Sequence, residues 1–405
     1  MTAIDTNTTV ANRATDPPGW LQIDLRQLGA NVRWWRQIAQ PAGDAHPPLL
    51  GAVVKANAYG LGAVPISRHL VRCGVDMLLV YSLQQAMELV DAGIEHPTLV
   101  FLPTTQLPAS PALRRAAANG QLHFSVDDPH QAGQLDQVGC ALGCRLPIHV
   151  HLDTGMSRAG VSAAQFAQML RDSPQLPGVR LAGIYTHLAT APTDVHFVDQ
   201  QVDRLDRALD EHKEHIPNDV LIHLSSTFAA CRSQRYHRHL MRIGLGLYGY
   251  GPELIADPIL PHDGLPRPIV RWLSRIVHVA DYPTGATVSY ERTCRLGRNS
   301  RLGIVPAGYG DGYATALQNK SHVRLLDEDD SPLGNAPVLG QINMDQLVVD
   351  LTDVPAATLG TKLELLSADP DSVCSAPRLA KLASTHVYDI LCRLSPRLPR
   401  VYIDA

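Results

Sequence analysis

The sequence predicts an α/β fold, a (β/α)8 TIM-type barrel followed by a mainly β C-terminal domain. The chain has 405 residues, which is too long for one ordinary domain and suggests two. Between residues 48 and 243, eight short apolar runs alternate with polar, alanine-rich stretches of helical character, as in βαβ units. Beyond residue 262, alternating apolar segments dominate and helical signals are few, as in a separate β domain.

The eight apolar runs are the expected barrel strands. They cover residues 48–54, 76–81, 98–102, 122–126, 146–152, 180–186, 219–224 and 239–243. Because a closed barrel of eight βαβ units takes roughly 250 residues, this spacing favours a barrel, and an open, doubly wound sheet is the alternative. In such a barrel the functional side chains lie at the carboxyl ends of the strands.

Changes in composition indicate the domain limits. Residues 1–19 are polar and lack the apolar core of a secretory signal, so we expect a mobile N-terminal tail. We expect the barrel at 20–262 and the β domain at 263–405, joined by a proline-rich stretch, with a first strand at 20–24 pairing with the β domain. Within that domain we expect a helix near 376–383 and strands at 276–280, 301–305, 322–326, 346–351 and 362–366.

The composition excludes several classes of protein. With 45% hydrophobic and 18% charged residues, the chain is neither disordered nor fibrous. A net charge of −4 gives no basic footprint for nucleic acid, and no apolar run reaches the roughly 18–20 residues that cross a bilayer. We therefore expect neither nucleic acid nor membrane as a partner. The seven cysteines contain no C-x-x-C pair and are typical of free thiols in a reducing cytoplasm.

A lysine follows the first expected barrel strand. Lys55 ends an apolar run and precedes the turn Asn57-Ala-Tyr59-Gly60. Desolvation lowers the pKa of a lysine amine and frees it as a nucleophile, as in Schiff-base lysines. A lysine whose amine simply reaches solvent at the barrel rim is the alternative.

A glycine-rich segment follows the last expected barrel strand. Residues 244–249 match the dinucleotide fingerprint G-x-G-x-x-G, but the proline-rich stretch comes next and no βαβ unit is completed. A dinucleotide site is therefore disfavoured, although the bare backbone could hold one phosphate. Arg242 stands at the end of this strand.

Three polar side chains alternate along the fifth expected strand. His149, His151 and Asp153 share one face at period two, and His187 and His223 lie near other strand ends. These histidines could hold a metal as in barrel hydrolases, or could be hydrogen-bonded interior side chains. Arg242 favours the second interpretation, because a guanidinium repels a divalent cation.

Tyrosines and glycines are concentrated at four places in the expected β domain. Taken singly, each tyrosine is typical of a half-buried sheet residue, but a barrel lysine gives the group functional interest. The places are residues 288–291, 306–313 and 340–346, and Tyr388.

Seven ordered motifs together resemble the alanine racemases, a family of fold-type III pyridoxal-phosphate enzymes. The similarity runs from about residue 20 to the end of the chain. The motifs are AVVKANAYG at 52–60, DTGMSR at 153–158, YTH at 185–187, RIG at 242–244, VSY at 288–290, GYGDG at 308–312 and NMD at 343–345.

The resemblance implies a fold, a reaction and a set of residues. It implies an α/β barrel, a β domain and a homodimer with active sites shared across the interface. The reaction would be a two-base racemisation of L- and D-alanine with pyridoxal 5'-phosphate, serving D-alanine supply for cell-wall precursors. Lys55 and Tyr290 would be catalytic, and Lys55 would also carry the cofactor.

Further roles follow from the same resemblance. Arg242 would face the pyridine nitrogen and His187 would position it, while Arg158 would contact the cofactor and the substrate carboxylate. Tyr309 and Met344 would reach the substrate from the second subunit, together with Tyr290. No metal is expected. The cofactor phosphate would be bound by Tyr59, Ser226, Gly244, Leu245 and Tyr388.

The sequence departs from the family pattern at several positions. His151 stands where many members have a lysine, often carbamylated, that orients the equivalent of Arg158. A serine, Ser157, replaces the second small residue of the DTGMGR pattern. Where the family builds its substrate entrance, this chain has Glu291, Thr315 and Gln341.

The substrate and the reaction therefore have alternatives. The first alternative is a racemase of another small amino acid such as serine. A fold-type III decarboxylase is disfavoured because its C-x-S-x-D element is missing, and a metal-dependent barrel hydrolase using His149, His151 and His187 is a more distant possibility.

Overall fold

In a computed structural model, residues 17–39, 46–255 and 264–404 are described. They divide into two compact units. One spans Leu25–Arg267, and the other combines the described residues before Leu25 with those from Pro268 onward. Residues 1–16 of the expected tail and the expected boundary at 262–263 lie outside the described residues.

The described chain begins with strand β1 (Gly19–Asp24), followed directly by helix α1 (Leu25–Ile38). Helix α1 is amphipathic and buries Leu28 and Trp35. The buried amide of Asn31 donates to the carbonyl oxygens of Leu247 and Arg267, both at 2.9 Å. These two bonds hold α1 against the far end of its own unit.

Eight parallel strands form the core of the first unit. Their order is β8-β7-β6-β5-β4-β3-β2-β9, and backbone bonds join the two end strands, including one from His239 N to Ile222 O of 2.9 Å. The sheet is thus a nearly closed barrel, which confirms the predicted fold. The strands are β2 (Leu49–Val53), β3 (Met77–Val80), β4 (Thr98–Val100), β5 (Leu122–Val126), β6 (Leu146–His151), β7 (Val179–Tyr185), β8 (Leu221–His223) and β9 (Leu240–Ile243).

Helices connect the barrel strands. Most begin at a serine or aspartate whose side chain accepts from a backbone amide of the first turn, as Ser82 and Asp128 do. None of the helices in the described ranges is both long and apolar enough to span a membrane. The helices are α2 (Ala63–Arg72), α3 (Leu83–Asp91), α4 (Pro111–Ala118), α5 (Pro129–Leu142), α6 (Ala163–Asp172), α7 (Val195–Glu211) and α8 (Thr227–Arg232).

The second unit is mainly β, as the sequence predicts. Its nine-stranded sheet has the order β11-β14-β17-β16-β15-β18-β10-β1-β19, in which β1 pairs with β10 and β19. Strands β12 and β13 form a separate pair. The strands are β10 (Val270–Arg275), β11 (His278–Tyr282), β12 (Thr287–Val288), β13 (Cys294–Arg295), β14 (Ser300–Val305), β15 (His322–Leu326), β16 (Pro332–Leu339), β17 (Leu347–Asp350), β18 (Lys362–Leu366) and β19 (Arg400–Ile403), with helices α9 (Ala376–Leu382) and α10 (Val387–Cys392).

Strands β10, β16 and β19, the two-residue strands β12 and β13, and helix α10 are not predicted by the sequence pattern. Strand β16 carries Pro332, Gly334 and Pro337, which are typical of turns, yet it pairs with β15 and β17. Polar residues interrupt the apolar alternation of β10, and β19 is only four residues long. The partner strands of β10 and β19 are distant in the sequence, so a local pattern carries no record of them.

Candidate active site

Most of the predicted barrel residues lie at one end of the barrel. Parallel strands of a barrel end on the same face, so side chains that follow them are brought together. The residues that end or follow the strands β2, β6, β7, β8 and β9 include Lys55, His151, Arg158, His187, Ser226, Arg242, Gly244 and Leu245.

A left-handed turn follows Lys55 directly. The four residues Ala56, Asn57, Ala58 and Tyr59 have φ of 52°, 55°, 51° and 57°. Such a conformation costs roughly 1–2 kcal/mol for each residue other than glycine. Backbone bonds hold the turn, from Ala58 N to Val54 O and from Gly60 N to Ala56 O, both of 2.9 Å. Strain held this firmly is typical of functional sites.

The turn places Tyr59 against the backbone that follows β9. Tyr59 is buried, and its hydroxyl lies where a Cβ atom on Gly244 would have to stand. Gly246 is equally constrained, because a Cβ atom there would overlap the ring of Trp35. Ser226 precedes α8 without capping it through its side chain. Hydroxyl groups and bare backbone thus occupy one corner of the barrel end, which is suited to an anionic group.

Arg242 is a buried guanidinium surrounded by neutral acceptors. It is 4% exposed, and burial lowers its pKa to about 10, so it stays charged at neutral pH. Across residues 17–39, 46–255 and 264–404, no carboxylate pairs with it. Its guanidinium lies 5.4 Å from the centre of the Tyr185 ring. It donates to His223 Nδ1 at 2.9 Å, Thr186 O at 3.0 Å, Leu224 O at 3.2 Å and His187 Nδ1 at 3.3 Å.

Two buried histidines of the barrel are held neutral, His187 beside Arg242 and His123 further from it. Burial, followed by the nearby charges of Arg242, Arg158 and Lys55, lowers the pKa of His187 to about 3. Burial likewise lowers the pKa of His123 to about 4. Each of these rings therefore stays uncharged at physiological pH.

We expect the free energy of unfolding to fall as the pH drops below about 6.5, and most steeply between about 6.5 and 4. The reason is that the unfolded chain protonates His123 and His187 near their ordinary pKa, whereas the folded chain does not. Above about pH 6.5 neither state binds these protons, so the full stability is present there. Urea unfolding at about pH 7.5 and about pH 5 checks the effect.

Two variants test whether the buried histidines cause this loss of stability at low pH. His123→Asn should reduce the loss of stability between the two pH values, while the exposed His130→Asn should leave it unchanged. Equal urea midpoints at both pH values for the wild-type chain would show that the buried histidines do not contribute.

His151 has a carboxylate partner that the sequence analysis missed. Its Nδ1 lies 2.9 Å from Asp127 Oδ1, and its ring stacks on Tyr185 with centroids 4.3 Å apart. The Tyr185 hydroxyl bonds in turn to Ser125 Oγ at 2.6 Å. Asp127 directly follows strand β5, and this position at a strand end is the signal that could have revealed it.

A tight turn carries Arg158. The Asp153 carboxylate accepts from the backbone amides of Gly155, Met156 and Ser157 at 2.9–3.1 Å. Although burial opposes it, this set of bonds lowers the pKa of Asp153. Arg158 itself is exposed at the end of the turn, so its guanidinium can reach an anionic ligand.

In the second unit, three predicted side chains are exposed to solvent. Tyr290, Tyr309 and Met344 are 69%, 46% and 54% exposed. Backbone bonds from Tyr309 N to Asn343 O and from Gly310 N to Met344 O, of 3.0 and 2.9 Å, bring Tyr309 and Met344 onto neighbouring segments.

Tyr388 and Tyr290 differ in their burial and in the backbone conformation around them. Tyr388 lies on helix α10, and burial raises its pKa to about 12. Tyr290 lies between Ser289 and Glu291, whose φ values of 60° and 54° are left-handed. The Ser289 hydroxyl fixes this bend by donating to Gln341 O at 2.7 Å.

The family is decided by comparison with known proteins. Residues 23–252 match the model described as "Alanine racemase, N-terminal domain", and residues 269–402 match "Alanine racemase, C-terminal domain". The chain belongs to the alanine racemase family. An alanine racemase of Methylacidiphilum infernorum is 31% identical over 95% of this chain and 93% of its own length. One from Synechocystis sp. is 33% identical over 95% and 98%.

Solved alanine racemases have the same fold. The enzyme of Streptomyces coelicolor A3(2) aligns with a TM-score of 0.84 and 28% identity, over 96% of this chain and 98% of its own. An alanine racemase of Bartonella henselae, described with covalently bound pyridoxal phosphate, aligns with a TM-score of 0.79 over 96% and 100%. At 23% identity the second likeness concerns the fold alone.

The metal site considered from the sequence has no support among the described residues. In that part of the chain, no three histidine, cysteine or acidic side chains are grouped to hold a metal ion. The ring nitrogens of His149 bond instead to His123 and His223. His123 was not singled out from the sequence, although a histidine within the apolar run 122–126 was a visible signal.

Proposed function

We propose that this chain is a pyridoxal-phosphate-dependent racemase that interconverts L- and D-alanine, with Lys55 and Tyr290 as its two catalytic residues. Membership of the alanine racemase family supports the reaction class. The observation that carries the proposal is the buried guanidinium of Arg242, which has only neutral partners among the described residues, at the barrel end where Lys55 begins its strained turn.

The residues at the barrel end fit the cofactor. Gly244 has no side chain, and the Tyr59 hydroxyl occupies the place where a Cβ atom would stand, so a hydroxyl and bare backbone lie side by side there. The phosphate would be bound by Tyr59, Ser226, Gly244, Leu245 and, from helix α10, Tyr388. Lys55 would hold pyridoxal phosphate until the amino group of the substrate takes its place on the cofactor, which frees the Lys55 amine, and the cofactor would then withdraw electrons from the Cα atom and weaken its Cα–H bond.

Arg242 would determine which reaction occurs. A guanidinium only donates hydrogen bonds, so a pyridine nitrogen facing it has to accept and stays unprotonated. An unprotonated ring withdraws fewer electrons, which disfavours transfer of the amino group to the cofactor. His187, at 3.3 Å, would help to hold the guanidinium in place.

Two residues would move the proton at Cα. The Lys55 amine, at the end of a buried strand, would take or return it on one face of the amino acid. The Tyr290 hydroxyl of a second subunit would serve the other face, and Tyr309 and Met344 would come from that subunit as well. Their exposure in the described chain supports a homodimer with shared sites. Arg158 would bind the substrate carboxylate.

The substrate is tested by comparing L-alanine and L-serine in the racemisation assay. We expect a higher kcat/KM for alanine, because the family members above are named for it. Glu291, Thr315 and Gln341 are the residues by which this chain departs from the family at the expected substrate entrance. Equal or higher kcat/KM for serine would contradict alanine as the substrate, and a preference for alanine above about a hundredfold would exclude serine.

We expect Arg242→Gln to lower racemisation about a hundredfold, since it removes a preorganised charge from the site. The same variant should form more pyruvate per racemisation event, because the pyridine nitrogen would no longer face an obligatory donor. Coupled assays for D-alanine and pyruvate measure the two products.

A surface arginine provides the control for this change. Arg171 is exposed on helix α6, and Arg171→Gln should change neither product. An Arg242→Gln protein that is folded and has an unchanged ratio of pyruvate to D-alanine would contradict the proposed role of Arg242.

A further inference from the structure

Three buried histidines form a continuous line within the barrel unit, and they end at Arg242. His123 Nδ1 lies 2.8 Å from His149 Nε2, and His149 Nδ1 lies 2.9 Å from His223 Nε2. His223 Nδ1 then lies 2.9 Å from an Arg242 amino group. The line joins strands β5, β6, β8 and β9, which carry one member each. Neither His123 nor His149 has a role in the function proposed above.

The Arg242 guanidinium determines which atom donates and which accepts in every hydrogen bond of this line. Arg242 can only donate, so His223 Nδ1 has to accept and His223 carries its hydrogen on Nε2. That N–H donates to His149 Nδ1, which places the hydrogen of His149 on Nε2 as well. His149 donates in turn to His123 Nδ1. Every ring is therefore neutral and has one defined tautomer.

The surrounding groups favour the neutral rings. His149 and His223 are fully buried, and His123 is 8% exposed. Burial, together with the positive charges of Arg180 and Arg242, holds the pKa of His149 well below its ordinary value. The Asp127 carboxylate bonds to His151 and, in the described residues, to none of the three rings.

The sheet makes room for the central ring. His149 lies opposite Gly183 on β7, and the pairing of β6 with β7 shifts register between Ile148 and His149. A Cβ atom on Gly183 would overlap the His149 imidazole at Nδ1, the atom that bonds to His223. Gly183 has no left-handed φ, so its backbone conformation does not require glycine. Glycine is needed because a side chain would collide with the His149 ring.

We propose that His123, His149 and His223 are positioning residues, a one-way hydrogen-bonded chain that fixes the orientation of the Arg242 guanidinium. The catalytic consequence rests on the proposed function, since it assumes that Arg242 faces the cofactor. The existence of the hydrogen-bonded chain does not depend on the proposed function. The three histidine side chains thereby restrain the Arg242 guanidinium through its bond to His223. This restraint adds to its bonds to Thr186 O and Leu224 O.

Histidine tautomers in the full chain test the bonds directly. We expect 15N-histidine NMR of the protein without added cofactor to show three neutral rings with the hydrogen on Nε2, unchanged between about pH 5.5 and 8.5. Single substitutions of the three histidines assign the signals. A hydrogen on Nδ1 of any ring, or titration of a ring in this range, would overturn the proposal whether or not the protein is a racemase.

Matched variants test the effect on Arg242. Gly183→Ala displaces the His149 ring without touching Arg242, and His123→Leu removes the last acceptor of the chain. We expect both to shift the His223 signals and to lower kcat for alanine about tenfold, with KM changed less than about twofold. Both should raise the ratio of pyruvate to D-alanine. His123→Asn keeps an acceptor near the position of Nδ1 and should restore all three readouts.

A second glycine separates this effect from a general loss of stability. A Cβ atom on Gly133 in helix α5 would have no neighbour within 4 Å, so Gly133→Ala should leave every readout unchanged. Gly183→Ala and His123→Leu proteins that are less stable, but keep the His223 signals, kcat and product ratio of the wild type, would show a merely structural role and overturn the proposal.

Discussion

Lys55→Ala is expected to abolish racemisation, with a loss of about 10⁴-fold or more, and to leave the purified protein colourless. The reason is that this one amine has two proposed tasks, holding the cofactor covalently and moving a proton at Cα. Lys55 is the residue with which the strained turn begins, and no other lysine lies at a barrel strand end. The visible absorption spectrum and a coupled assay for D-alanine measure the two losses separately.

Two comparisons make the Lys55 result specific. Lys213→Ala changes an exposed lysine and should keep both colour and activity. A small primary amine added to Lys55→Ala with pyridoxal phosphate should restore part of the racemisation, because it replaces the missing base. A Lys55→Ala protein with the yellow colour that we expect of the wild type would assign the covalent bond to another residue.

Tyr290→Phe is expected to lower racemisation about a thousandfold while the absorption of the bound cofactor remains. Removing one hydroxyl leaves proton transfer on only one face of the amino acid. In deuterated water, one enantiomer of alanine should therefore still exchange its Cα hydrogen through Lys55, while the other exchanges slowly. Proton NMR of the two enantiomers follows the exchange.

Another exposed tyrosine is the control for this substitution. Tyr282 lies on strand β11 and is 41% exposed, and Tyr282→Phe should behave as the wild type. Equal exchange of both enantiomers by Tyr290→Phe would show that Tyr290 is not the second base.

The same two variants test whether sites are shared between subunits. In a mixed dimer, one site combines the intact Lys55 of one chain with the intact Tyr290 of the other. Random re-association of Lys55→Ala with Tyr290→Phe should therefore recover about a quarter of the wild-type activity. Absence of any recovery after mixing, with dimers present, would place both residues of a site in one chain.

The sequence was sufficient for the barrel and for its main polar residues. All eight barrel strands lie within two residues of their expected limits, because buried parallel strands leave a strong apolar signal. Lys55 and Arg242 could be recognised for a related reason, as charged residues at the ends of apolar runs.

The contacts between distant strands could not be predicted in the same way. The pair formed by Asp127 and His151 joins β5 to β6, and His123 is joined to Arg242 only through two other strands. Alternation along one strand shows which face a side chain is on, but not which residue of another strand it meets. The left-handed turn was hidden for a different reason, because alanine and tyrosine are poor indicators of positive φ.

That turn has a consequence for attempts to make the enzyme more robust. Glycine adopts the conformation of Ala56 without steric cost, so selection for thermal stability alone would favour Ala56→Gly, a substitution next to Lys55, the proposed cofactor lysine. The added backbone freedom would let the Lys55 amine sample positions in which no proton transfer occurs. Stability and turnover are therefore opposed at this position, and a library screened for both would keep the alanine.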